Sequence, residues 1–208
     1  VQHRGPEVSA AVVDGAGHHP DTVRYSTTVP TTITQLGMVL GGVTALTTAG
    51  RMADAHSHVP HASAVYAHAA PGRPTMIHWI GGCRAYGFDG TRLTQWSTDQ
   101  TMGQWLRRNG GAAVELEAQR HDNWARFGLR QATDQTSRQV EIPQDIPLVL
   151  LVSDGISDQV DQATAEALCR RHQADPQALA NALIAAADAD PEGYRDDATV
   201  VALLRHTP

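Results

Sequence analysis

Three times in this chain a short apolar run adjoins an aspartate, and that recurrence restricts the possible folds more than any other feature. The run 8–13 stops at Asp14-Gly15, the run 146–152 stops at Ser153-Asp154-Gly155, and Asp196-Asp197 opens the run 198–204. Short apolar runs bounded by turn residues read as buried strands. A carboxylate at the end of such a strand sits on a rigid support, and hard cations such as Mg²⁺ and Mn²⁺ take oxygen ligands. Three strand ends can therefore converge on one metal site, and the glycine after each of the first two aspartates lets a backbone carbonyl come close. Taken singly, each Asp-Gly is equally at home in an ordinary turn.

The rest of the chain fits mixed strands and helices. Residues 30–51 carry Ile33, Leu36, Val39, Leu40, Val43 and Leu46 at spacings of three and four, which predicts an amphipathic helix with Pro30 in its first turn, interrupted by glycines at 37, 41 and 42. Runs 62–68 and 75–80 flank Pro71-Gly72-Arg73-Pro74 and should pair as strands. Runs 84–88 and 91–96 flank Asp89-Gly90, the type I′ hairpin signal. A helix over 99–109 should stop at Gly110-Gly111, residues 112–138 show no steady period, and helices are expected over 161–172 and 176–189. No internal repeat is present. Hairpins alternating with grouped helices indicate an α+β fold.

Composition limits the function. At 208 residues one hydrophobic core suffices, so residues 1–208 read as one domain. Sixteen Lys plus Arg against 22 Asp plus Glu give a net charge of −6, which argues against nucleic acid or an anionic membrane as the main partner. The longest apolar stretches, 146–152 and 36–46, fall short of the ~20 residues that span a bilayer. Cys83 and Cys169 stand in no ligand or disulfide spacing, and no signal segment opens the chain, so a soluble cytoplasmic protein is expected. The first residue is Val1 rather than Met, as in a fragment, a trimmed chain or an alternative start.

Four segments in order, AAVVDGAGHH, IGGCRAYGFDGTRLTQWSTDQT, LVLLVSDGISDQV and RDDATVVALL, span residues 10–204 and resemble the successive signatures of the protein phosphatase 2C family. The resemblance implies a four-layer αββα sandwich, two antiparallel sheets flanked by helices, with a pair of Mn²⁺ or Mg²⁺ ions at the sheet edge. It implies that Asp14 bridges both ions, that the Gly15 carbonyl contacts one, and that Asp154 and Asp196 complete the other; Asp197 stands where the family usually has Asn. The implied activity is hydrolysis of phosphoserine and phosphothreonine in proteins by a metal-activated water, with a phosphorylated protein as the partner. No Cys-x5-Arg loop, Asp-x-Asp pair or Gly-x-Ser-x-Gly elbow offers a covalent route instead.

The chain also departs from the pattern. The family's upstream Arg and Asn-Glu-Asp motif are not seen before Asp14, so the domain is expected to lack the usual N-terminal strand, to leave a sheet edge open beside residues 8–13 and to be weak or inactive as written. Gly82 replaces the aspartate of a Gly-Asp-Ser-Arg turn, which removes a ligand for any third ion. Ala16 stands where some relatives place a His, leaving His18 or His19 as the candidate general acid. A phosphatase-like binding or regulatory module that has lost catalysis is the alternative, and a phosphatase of small metabolites is a third reading. His56, His58, His61 and His68 read as a variable surface loop rather than a metal tract; Trp79, Trp96, Trp105 and Trp124 as core; Cys83 as a buried small residue; and Asp158 as either a surface charge or an outer acid.

Overall fold

A computed structural model describes residues 1–110, 114–122, 124–187, 193 and 196–205. In chain order the elements are β1 (Gln2–Arg4), β2 (Glu7–Gly15), α1 (Pro20–Leu40), α2 (Gly42–Met52), β3 (Ala62–Ala69), β4 (Thr75–Ile80), β5 (Arg84–Phe88), β6 (Leu93–Gln95), α3 (Met102–Asn109), α4 (Glu115–Gln119), β7 (Arg138–Ile142), β8 (Leu148–Val152), α5 (Asp154–Ser157), α6 (Gln162–His172), α7 (Pro176–Ala186) and β9 (Val200–Leu204). Single 3-10 turns lie at Ala53–Ala55 and Leu129–Gln131.

The strands form two sheets, ordered β1-β2-β3-β4-β7 and β6-β5-β8-β9, and every pairing is antiparallel. Side chains alternate across a strand, so the two faces can be read off the packing. In β2, Ala10 and Val12 join Val65, Ile77, Val149 and Leu151 between the sheets, while Ala11 and Val13 join Tyr25, Ile33 and Leu46 under α1 and α2. In β8, Val149 and Leu151 face the first sheet, while Leu148, Leu150 and Val152 pack with Leu179 and Leu183 of α7. Both faces of both strands are buried, which is why they read as continuous apolar runs. The architecture is the expected α+β sandwich, with helices outside each sheet.

The structure corrects several local readings. The helix expected over 30–51 begins ten residues earlier, at Pro20, and breaks at Gly41, whose φ of 84° only glycine adopts readily. Beyond the break α2 turns back on α1, and the Tyr25 hydroxyl donates to the Ala49 carbonyl at 2.8 Å. Pro30 therefore lies inside α1, and the proline in the first turn is Pro20. Asp89-Gly90 is not a type I′ turn: Phe88 pairs with Leu93 across four loop residues, only Gly90 has positive φ, and Asp89 Oδ1 accepts from the Thr91 and Arg92 amides at 2.7 Å. Strands β1 and β7 were not foreseen. β1 pairs with Glu7, Val8 and Ser9 of β2, and among the described residues no strand continues that pairing along residues 10–15. Residues 188 and 189 of the expected last helix lie outside the described residues.

Candidate functional site

The ends of β2 and β8 and the start of β5 come to one edge of the sandwich because β8 is registered with Arg84 opposite Val152, and β9 follows with Val200 opposite the same Val152. A cleft of about 590 Å³ opens there, lined by Asp14, Gly15, His18, Asp154 and Asp196 among others. Five of the six residues named as candidates thus share one cleft. The sixth, His19, serves as the N-cap of α1, where its Nδ1 accepts the Asp21 amide at 3.2 Å and its ring lies 4.0 Å from that of His58.

The floor of the cleft is electrostatically unsatisfied. Burial, the charge of Asp154 and a hydrogen bond with it push the Asp14 carboxyl up to about 8, with Asp196 and Asp197 adding to the shift. Asp154 Oδ1 is buried with no donor reaching it. Arg84 is committed elsewhere. Its Nε and a terminal nitrogen hold Asp99 at 2.7–3.0 Å, and its other terminal nitrogen holds Asp158 at 2.8 Å. Burial alone would favour losing the Arg84 proton, but the Asp99 contacts, and after them Asp158, hold it firmly charged. Asp158 is therefore an outer acid fixed by Arg84, and burial raises its own pKa above the usual range.

Other residues build the support. Ser153 Oγ donates to the Asp197 carbonyl at 3.2 Å and accepts the Thr199 amide at 3.0 Å, which draws the 196–199 segment against the end of β8. A Cβ on Gly155 would meet the Asp197 carbonyl oxygen at 2.5 Å, and one on Gly15 would meet Thr22 and Ser26 of α1. Both glycines thus make room for neighbouring backbone or helix. The Gly81-Gly82 turn is pinned by Gln100 Oε1 and Ser63 Oγ, each accepting an amide at 2.9 Å. Gly82 lines the cleft and offers no carboxylate.

The sequence reading missed Asp99, Thr101, Asp122 and Trp124 as cleft residues. Asp99 follows β6 by four positions, and the signal was the arginine at 84 needing a partner. Trp124 is 62% and Trp105 41% exposed, which corrects their assignment to the core, whereas Trp79 and Trp96 do pack between the sheets. His61 lines the cleft and burial lowers its pKa; His68 lies in β3, 3.4 Å from Glu7. Cys83 is buried between the sheets, and burial raises its thiol well above the normal value, so it is no nucleophile. Among the described residues no three His, Cys, Asp or Glu side chains are gathered closely enough to hold a metal unaided. What the cleft presents is one touching carboxylate pair with further acids acting through space.

No protein-family model matches the chain, and the comparison with curated proteins finds no match. Solved structures do. The serine/threonine phosphatase PstP/Ppp of Mycobacterium tuberculosis superposes with a TM-score of 0.72 at 20% identity, over 99% of this chain and 94% of that one. The fold is that of these serine/threonine phosphatases. Stp1 of Staphylococcus aureus gives a TM-score of 0.72 at 13% identity, over 100% of this chain and 91% of its own. The catalytic domain of PstP in complex with two manganese ions gives 0.69 at 20% identity, over 97% and 91%. At such identities the likeness concerns the phosphatase fold, and the chemistry has to be argued from the cleft.

Proposed function

We propose that this chain is a metal-dependent phosphatase of phosphoserine and phosphothreonine in proteins. One observation carries the reading: two carboxylates, Asp14 and Asp154, touch at the floor of an acidic cleft, and Asp14 is pushed up to about 8. Such a pair is stable either with a shared proton or with a cation between its oxygens. The donor set fits a hard divalent ion, since it is oxygen throughout and includes the orphaned Asp154 Oδ1.

Asp14, the Gly15 carbonyl, Asp154 and Asp196 would hold two Mn²⁺ or Mg²⁺ ions, with water filling the remaining positions. Bound there, the ions supply an activated water and neutralise phosphoryl oxygens. Arg84 fixes Asp99 and Asp158 at the side of the cleft and offsets part of their charge. His18 lines the cleft and would give a proton to the leaving serine or threonine oxygen. His19 is occupied in capping α1, so the general-acid role falls to His18.

A cytoplasmic location belongs to the same proposal, supported by two buried free cysteines. Among the described residues no helix is long and apolar enough to cross a membrane.

The test is phosphate release with Mn²⁺, then with a chelator, from phosphoserine and phosphothreonine peptides, a phosphotyrosine peptide and small sugar phosphates. Metal-dependent release from the first two is expected. Release confined to the sugar phosphates would overturn the protein-substrate assignment.

A further inference from the structure

We propose that Trp124 is a docking platform for a Lys or Arg side chain flanking the phosphorylated residue of the substrate. The inference rests on the phosphatase reading and specifies its substrate class. Trp124 lines the cleft yet leaves 62% of its surface to water. An exposed indole that lines a cleft offers a large amphipathic face for a bound group to cover.

The backbone beneath it is clamped. The Trp124 carbonyl accepts the Met102 amide at 2.8 Å, and its own amide donates to His121 at 3.1 Å. Arg126 donates to the Gln100 carbonyl at 2.8 Å, and Thr101 and Ala125 form a β-bridge. The ring meets His121 edge-on, with centroids 4.6 Å apart. Below, Arg107 grips Asp122 and Glu115 together and ties α3 to α4. An aromatic face held this way is ordered before the substrate arrives, so binding loses little entropy.

Charge decides the occupant. Among the described residues, seven aspartates line the cleft against a single arginine, Arg84, which is shared between two of them. Two divalent ions at the floor would balance Asp14, Asp154, Asp196 and Asp197, but Asp99 and Asp158 still outnumber Arg84. The chain's own nearby guanidinium, Arg126, lies over Trp105 and Phe127, 5.3 Å from each ring. A substrate cation entering the cleft therefore meets an aromatic face and residual negative charge in the same lining, the combination that attracts ammonium and guanidinium groups.

The measurement is the ratio of kcat/KM for two phosphothreonine peptides in Mn²⁺, one flanked by Lys and Arg and one by Ala. This ratio is independent of how much enzyme is correctly folded. The wild-type chain should prefer the basic peptide by about tenfold, Trp124→Ala and Trp124→Leu should bring the ratio close to one, and Trp124→Phe should keep most of it. No preference in the wild type, or a preference that survives Trp124→Leu, overturns the proposal. If the wild type hydrolyses neither peptide, the phosphatase reading fails separately. Anisotropy of a fluorescent basic phosphopeptide then decides the platform: weaker binding by Trp124→Leu than by the wild type supports it, and equal binding overturns it.

Discussion

At the scale of residues, Arg84 shows how charge is arranged around the cleft. Its side chain is 17% exposed and is held by Asp99 and Asp158. Removing one partner of such a network leaves uncompensated charge in a half-buried place, so Arg84→Met should lower unfolding stability by about 3 kcal/mol in urea titrations. His78 tests burial in another way. It is 8% exposed against Gly42, its Nδ1 has no partner, and burial lowers its pKa despite the opposing Gln139 contact. The folded ring thus stays neutral where the unfolded one takes a proton, and stability from this group is present above about 6.5 and is lost as pH falls below it. Between pH 7.5 and 5.5 the wild-type chain should lose more stability than His78→Gln; equal losses would remove His78 as a source. Asp14 and Asp154 were legible in the sequence because each stands at the end of an apolar strand, and Asp196 because it precedes the last apolar run, although β9 itself starts only at Val200. Trp124 was not, because its exposure is set by contacts with residues 100–103 that no local pattern records.

At the scale of elements, two glycines separate packing from site assembly. A Cβ on Gly50 would strike the Leu129 carbonyl, where α2 rests on the Leu129–Gln131 turn. Gly50→Ala should destabilise by about 1–3 kcal/mol without changing Mn²⁺ affinity. A Cβ on Gly155 would instead press on the Asp197 carbonyl and push the 196–199 segment from α5. Gly155→Ala should weaken Mn²⁺ binding by roughly tenfold, since displacing the shell around a ligand costs about that much; calorimetry of both variants checks the contrast. Strand periodicity and the hairpin partners of β3–β4 and β5–β6 were legible, because apolar alternation and turn residues are local signals. The start of α1 was hidden because its first buried positions are Thr22, Tyr25 and Val29, which make a weak apolar stripe. The break at Gly41 needed φ, and β7 needed β4 beside it to matter.

At the scale of the whole molecule, hairpins alternating with grouped helices indicated an α+β fold, and the resemblance of four ordered segments to the phosphatase 2C family supplied the sandwich, whose two sheets bring residues 14, 154 and 196 to one cleft. The sequence also pointed to an open edge beside β2; β1 covers its beginning, Glu7 to Ser9. The central claim is that Asp14 and Asp154 together serve a metal-dependent hydrolysis. The direct measurement is the initial rate of phosphate release from a phosphothreonine peptide at saturating Mn²⁺, for the wild-type chain, Asp14→Asn and Asp154→Asn, each shown to be folded by circular dichroism. Mn²⁺-dependent release by the wild type and a loss of roughly a hundredfold or more in each variant are expected. Equal rates in all three would contradict the claim, as would a folded wild-type chain that binds the phosphopeptide in Mn²⁺ and releases no phosphate, the behaviour of a binding module built on a phosphatase fold.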